Sequence, residues 1–329
     1  MAKNIVHCLS TLKNSKEESI RTCVSFHPSE LILAVGSGRD VKLWTFSSHN
    51  FEATCLLPIS MNNSVNSVAF HPTKKNPPVF VTGLKDNTVR IWQVEPDSDN
   101  AELDANCVTN LGTGQFEARD LEIHKHTSSV SCAVFHPMAP LLVTGSNIVK
   151  LWMLNEDGSI SKWLEDIAIR HYDYFNINYI SLAFHSREPL LAIGSGTHDV
   201  NRVRISAGAI EIRRLSTDGS KTHVTTTLDD LNDNCVKTVA FHPIANPPVL
   251  AAAFNSNQVK LWRFNPDASS ATAILTLDEE HKPRYYSQYT INCMSFHPLL
   301  PILATGSNYG TIKIWRLNFE TSHAICLIT

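Results

Sequence analysis

Charge is scarce in this sequence. Only 18% of its 329 residues are Asp, Glu, Lys or Arg, and the net charge is −3. An average soluble protein carries ~25% charged residues. Without a basic surplus there is no electrostatic footprint for duplex nucleic acid or anionic lipid. Long apolar runs are also lacking, and none approaches the ~18 residues of a membrane span. The opening stretch, residues 1–19, has an apolar core too short for a secretory signal. The eight cysteines include no CxxC pair, which argues against a disulfide scaffold or a zinc ribbon. A reduced, intracellular protein is expected, cytoplasmic or nuclear. No G-x-S-x-G, P-loop or H-E-x-x-H occurs, and no sustained helical period. No enzyme, cofactor, metal or small-molecule substrate is therefore expected. The 43% hydrophobic share still supports a packed core rather than long disorder.

What the sequence has in quantity is repetition. Phe-His-Pro stands at Phe26, Phe70, Phe135, Phe241 and Phe296, and Phe184-His185-Ser186 is a sixth copy without the proline. A short apolar run follows each copy (LILAVGS, VFVTG, LLVTGS, LLAIGS, VLAAAF, ILATGS). Then comes VKLW, VRIW, VKLW, IEIR, VKLW or IKIW. Trp44, Trp92, Trp152, Trp262 and Trp315 close that third element, and Arg213 takes the place in the fourth copy. The third residue back from Phe is always small: Cys23, Ser67, Cys132, Ser181, Thr238 and Cys293. The second is apolar, as in Val24, Val68 and Val239. One small and one bulky face at period two mark a strand packed on both sides. A fourth apolar segment follows most copies: 51–59, 222–228 and 271–277. Four strands per unit, repeated around an axis, give an all-β propeller of four-stranded antiparallel blades. Six repeats are visible within residues 1–329, read as a single propeller, and a seventh blade is left open. IVHCLSTL near the start and HAICLIT at the end both read as outer strands, and the sequence does not choose between them.

The residues now on view resemble the WD-repeat β-propeller family over nearly the whole chain. Lys85-Asp86-Asn87-Thr88-Val89-Arg90-Ile91-Trp92 matches its best-known stretch, and His126-Thr127-Ser128-Ser129-Val130 matches the start of a repeat. No Trp is followed by Asp, and Tyr309 stands where the sixth turn would carry Asp. The buried His-Ser-Asp-Trp network of the family is therefore mostly incomplete. The resemblance implies a non-catalytic platform for assembling multi-protein complexes. It also implies that blade-to-blade connections and second-to-third strand turns share one face.

Candidate sites follow from where the repeat is broken. All seven tyrosines lie in the second half of the chain. Arg170, His171, Tyr172, Tyr174 and Phe175 form one cluster, and Arg284, Tyr285 and Tyr286 a second. Both precede the first strand of a unit, and Tyr309 lies in a second-to-third strand turn. Tyr and Arg are enriched at binding hot spots, so these nine residues are the expected site for a protein or peptide partner. Tyr179 and Tyr289 are read as strand-start packing. An insertion at 196–208 brings Arg202 and Arg204, which with Arg213 and Arg214 compose an alternative site for a phosphoinositide or RNA. A second insertion, 95–125, holds eight acidic and two basic residues. It is expected to project, partly as a flexible loop, between the third and fourth strands of the second unit.

The six histidines are read as structural. One per blade places them around a wide ring, whereas a metal needs three or four ligands close together. Twelve of the sixteen prolines fall in the same turns, which marks the turns as stiff devices. Cys23, Cys132 and Cys293 are read as packing residues. Cys326-Leu327-Ile328-Thr329 has the form of a prenylation signal, but its final Thr and the lack of a polybasic run favour an outer strand.

Overall fold

In the computed structural model the strand expected before each Phe-His-Pro is present six times, always as the first strand of a four-stranded antiparallel sheet. The structure describes residues 22–46, 53–75, 78–96, 103–111, 126–169, 179–198, 206–228, 235–278, 290–307 and 311–328. Blade one is β1 (Thr22–Phe26), β2 (Ile32–Ser37), β3 (Asp40–Phe46) and β4 (Ala53–Ser60). Blade two is β5 (Val65–Lys75), β6 (Pro78–Leu84), β7 (Val89–Pro96) and β8 (Leu103–Leu111). Blade three is β9 (Cys132–Phe135), β10 (Leu141–Gly145), β11 (Val149–Leu154) and β12 (Ile160–Ile167). Blade four is β13 (Tyr179–Phe184), β14 (Leu190–His198), β15 (Ser206–Leu215) and β16 (Thr222–Leu228). Blade five is β17 (Val236–Phe241), β18 (Val249–Phe254), β19 (Gln258–Phe264) and β20 (Ala271–Asp278). Blade six is β21 (Ile291–Phe296), β22 (Ile302–Ser307), β23 (Ile312–Asn318) and β24 (His323–Ile328). The architecture is a six-bladed β-propeller.

This settles two points left open by the sequence. There are six sheets among the described residues, and HAICLIT supplies the fourth strand of its own blade. Asn318 pairs with His323 across a short hairpin, so β24 needs no distant partner. IVHCLSTL lies outside the described residues. The acidic stretch 95–125 is not one loop, because β8 falls within it and pairs along β7 from Val89 to Pro96. The insertion 196–208 lengthens a hairpin, with Gly196 opposite Gly208 and His198 opposite Ser206.

Contacts divide the chain into two compact units. One holds the described residues up to Phe135 together with Leu154–Ile160, and the other His136–Met153 with the described residues from Ser161. In the first, Ala34, Val41, Leu43, Val65, Phe70, Phe80 and Trp92 pack one core cluster. In the second, Leu190, Ile212, Val239, Phe241, Leu250 and Trp262 form a cluster, and Leu261, Ile291, Leu303 and Trp315 another. Leu43, Phe80 and Leu250 are wholly inaccessible to solvent. Full burial of such side chains contributes about 1.5–3 kcal/mol each.

Within a blade the third strand is bent at a fixed place. The pairing of third with fourth strand shifts register at Leu43/Trp44, Ile91/Trp92, Ile212/Arg213, Leu261/Trp262 and Ile314/Trp315. A bulge adds local twist and re-aims the side chain beside it. In three blades the tryptophan of the third strand donates from Nε1 to a threonine of the second. Trp92 reaches Thr82 Oγ1 at 3.0 Å, Trp152 reaches Thr144 at 2.8 Å and Trp315 reaches Thr305 at 3.3 Å. These bonds keep one link of the network that the sequence had shown as incomplete. In blade four the pattern is recast, because Ile193 occupies the threonine position. Arg213 instead meets Glu211 at 2.9 Å and donates to Thr222 Oγ1 at 2.9 Å.

The turns between third and fourth strands repeat a second device. Asp157, Asp218 and Asp267 accept the N–H of Ser159, Ser220 and Ser269 at 2.8, 3.0 and 2.9 Å. The residue between each pair has positive φ: Gly158 at 90°, Gly219 at 69° and Ala268 at 58°. A Cβ on Gly219 would stand 3.2 Å from Leu141 of the preceding blade. The Ser216 hydroxyl, with the Ser220 N–H, holds the Asp218 carboxyl below its ordinary pKa, and the N–H and hydroxyl of Ser269 do the same for Asp267.

Replacing Thr82 by Val keeps shape but removes the acceptor of the buried Trp92 N–H. The expected loss is about 1–3 kcal/mol, the cost of an unsatisfied buried polar group. A lower denaturation midpoint in urea, with the slope unchanged, is the measurement that checks it.

Candidate functional site

Antiparallel order fixes which chain segments meet at each end of a blade. The Phe-His-Pro turns and the third-to-fourth strand turns lie at one end. The start of the first strand, the second-to-third strand turn and the end of the fourth strand lie at the other. The nine expected partner-binding residues (Arg170, His171, Tyr172, Tyr174, Phe175, Arg284, Tyr285, Tyr286 and Tyr309) lie outside the described residues, as do Arg202, Arg204 and Tyr289. Their flanking anchors are described. Ile167 ends β12 and Ile180 is the second residue of β13, both buried. Leu277 is the last residue but one of β20 and Ile291 opens β21, again buried. Around residue 309 the turn is shut by Ser307 N–H donating to the Thr311 carbonyl at 3.0 Å and Thr311 N–H donating to Ser307 Oγ at 3.3 Å. The three segments thus leave strands of blades three, five and six and rejoin strands of blades four and six, each at the strand-start end of its blade.

Blade two shows how such a turn is hardened. Asp86 accepts Thr88 N–H at 3.2 Å and Thr88 Oγ1–H at 2.6 Å. Asn87 between them takes φ of 71°. The chain entering blade three is clasped to this turn, with Val130 N–H on the Leu84 carbonyl at 3.1 Å. Asn66 Nδ2 adds bonds to Ser129 Oγ and the Val130 carbonyl, both at 2.9 Å.

The opposite end explains the histidines. In every blade the imidazole Nδ1 accepts backbone N–H groups of its own turn. His27 takes Glu30 at 2.9 Å, His71 takes Thr73 at 3.2 Å and His136 takes Ala139 at 2.8 Å. His185 takes Glu188 at 2.9 Å, His242 takes Ala245 at 3.1 Å and His297 takes Leu300 at 3.0 Å. Five of the rings also lie against the phenylalanine of the following blade. Centroid distances are 5.2 Å for His27–Phe70, 4.7 Å for His71–Phe135 and 4.8 Å for His136–Phe184. They are 5.3 Å for His185–Phe241 and 5.0 Å for His242–Phe296. Every one of the six histidines is therefore a turn cap, and five are also inter-blade wedges. The sequence marked it as structural, but the partner ring is a whole repeat away. Among the described residues no three His, Cys, Asp or Glu are grouped as metal ligands.

The small residues three back from Phe have a like role. Ser67 Oγ accepts Ala133 N–H at 3.1 Å, and Ser181 Oγ accepts Val239 N–H at 3.0 Å, each on the next blade. Cys23 instead turns its thiol to the Gly36 carbonyl at 3.7 Å, and Cys293 to Gly306 at 3.8 Å. Burial pushes the Cys23 thiol up to about 12 and Cys235 up to about 11, and raises Cys293 as well. Thiols so protonated are poor nucleophiles. Of the alternative arginine site, Arg213 is turned onto Glu211, and Arg214 donates to the Asp267 carbonyl at 3.1 Å. Neither guanidinium stands free for a phosphate.

Comparison with known proteins gives three findings. A family profile described as WD domain, G-beta repeat matches residues 6–45, 53–93, 119–163 and 279–316. Blades four and five go unmatched, where Arg213 replaces the tryptophan and Ala253 the strand glycine. Nuclear distribution protein PAC1 of Komagataella phaffii is 27% identical over 175 residues, 47% of this chain. That match spans only 31% of the PAC1 protein's length. Among solved structures, Chaetomium thermophilum Sqt1 bound to the N-terminus of ribosomal protein L10 superposes with a TM-score of 0.61 at 16% identity, over 92% of this chain and 74% of Sqt1. A structure of Sqt1 from the same organism gives 0.61 and 16%, over 94% and 72%. At that identity the likeness is one of fold.

The caps make stability depend on pH. Desolvation lowers the pKa of His136, His185 and His242 below 6.5. The unfolded chain then binds more protons than the folded one once pH drops past 6.5, so stability falls with pH from there to the folded pKa values. Thermal midpoints are expected level from pH 8 to 7 and declining below 6.5, with a shallower decline after His185→Asn and His242→Asn.

Proposed function

The chain belongs to the WD-repeat family, and from that membership we propose that it is a non-catalytic scaffold for a peptide or protein partner. Docking takes place at the strand-start end of blades four to six, through Arg170, His171, Tyr172, Tyr174, Phe175, Arg284, Tyr285, Tyr286 and Tyr309. The observation that carries this reading is the coincidence of two facts. Six of the seven tyrosines and the flanking arginines sit in three segments, and the strands bracketing those segments end at one side of adjacent blades. A rigid frame lets such segments vary without disturbing the core. Aromatic side chains with polar tips then supply contact area at low entropic cost.

The relative of known structure supports the same use of the fold, since Sqt1 is seen bound to the N-terminal segment of a ribosomal protein. The absence of catalysis is supported by the raised thiols and by histidines committed to capping. The proposed setting is intracellular, cytoplasmic or nuclear, within a multi-protein complex. Among the described residues no helix is long and apolar enough to cross a membrane.

The test pairs affinity purification and mass spectrometry of the wild type with Tyr174→Ala combined with Tyr285→Ala. Specific partners are expected to drop by about tenfold or more, as hot-spot truncations do, with the thermal midpoint unchanged. Equal recovery of every partner would refute the assignment, and a collapsed midpoint would show the tyrosines to be packing residues.

A further inference from the structure

The Phe-His-Pro end of blades three to six carries a second surface. Two residues past each histidine, where a turn would ordinarily be polar, stand Met138, Arg187, Ile244 and Leu299. Met138 is 72% exposed, Leu299 69%, its neighbour Leu300 48% and Ile244 37%. Single exposed apolar residues are unremarkable, but the same position repeated on adjacent turns makes a patch.

Adjacency rests on ring contacts between neighbouring blades. His136 lies on Phe184, His185 on Phe241 and His242 on Phe296, at 4.8, 5.3 and 5.0 Å. Ser186, which replaces the proline of the other turns, donates from Oγ to the Pro243 carbonyl and fastens the Arg187 turn to the Ile244 turn. The turns are also held rigid. Nδ1 of the respective histidine accepts the N–H of Met138 at 3.1 Å, Arg187 at 3.3 Å, Ile244 at 3.4 Å and Leu299 at 3.1 Å. A pre-set surface loses little entropy on binding.

The charges around the patch select the occupant. Glu188 faces Arg214 at 3.9 Å, and Arg214 also donates to the Asp267 carbonyl. Arg263 donates to the Phe319 carbonyl. Asp218 and Asp267 are engaged by serines of their own turns. Arg187 is exposed, and no ion pair or hydrogen bond engages its guanidinium among the described residues. The arc therefore reads apolar, cation, apolar, apolar. We propose that it docks a short extended segment of a partner protein, with apolar side chains flanking a single carboxylate that meets Arg187. This surface lies at the opposite end of the blades from the tyrosine-bearing segments and does not rest on the function proposed for them.

Two fluorescein-labelled decapeptides of Leu and Ser test this by anisotropy, one with a central Glu and one with Lys in its place. The wild type is expected to prefer the Glu peptide by about tenfold, a charge-pairing effect. Arg187→Glu should invert that preference, and Leu299→Ser with Leu300→Ser should weaken both peptides. Tyr174→Ala with Tyr285→Ala should leave binding unchanged, which separates this surface from the other. Arg187 and Leu299 are exposed, so thermal midpoints should hold. No binding of either peptide at millimolar concentration, or a preference that survives Arg187→Glu, would overturn the proposal. So would self-association in sedimentation velocity that Leu299→Ser abolishes, because a second copy would then be the occupant.

Discussion

One imidazole per blade fixes a turn, and in five blades it also ties that blade to the next. Its Nδ1 caps its own turn, and in those five its ring presses on the phenylalanine of the following blade. Because Nδ1 must accept, the ring has to be neutral, with its proton on Nε2. That requirement couples local geometry to long-range packing. The turn is stiff only while the ring stays in place, and the ring stays in place because the following blade covers it. Prolines at five of the six turns reinforce the same geometry covalently.

Around that link, each blade varies its interior independently. Three blades fasten the third strand to the second with a Trp–Thr hydrogen bond. Blade five sets Trp262 edge-on to Phe254 of the second strand at 6.3 Å. Blade four differs, because Arg213 pairs with Glu211 on its own strand and reaches Thr222 of the fourth. In five blades the bulge at the third strand stays in place, so the fourth strand still lands in register. Two blades have thereby drifted beyond the reach of the family profile without leaving the fold.

Much of this was legible from residue order alone. Phe, the small residue three before it and the Trp element recur with little variation, so strands one to three could be counted directly. Fourth strands were harder. LDANCVTNL mixes Leu103, Ala105 and Cys107 with acidic neighbours, and a composition rich in Asp and Glu disguised β8 as loop. IVHCLSTL and HAICLIT carry equal strand signals, and what chose the latter was a short hairpin back to β23. The role of histidine was half visible. Its repetition with proline marked a structural turn, but no pattern within one repeat announces a ring from the next. The tyrosine-bearing segments depart from the repeat, and a repeat can say only where such departures begin and end.

Ser186 makes one turn answerable to its neighbour. Five turns carry a proline directly after the histidine. The fourth has Ser186 there, and its hydroxyl donates to the Pro243 carbonyl of the next blade. A displacement of the Pro243 backbone is therefore felt in two blades at once, through the fastening that its carbonyl gives to the turn before it.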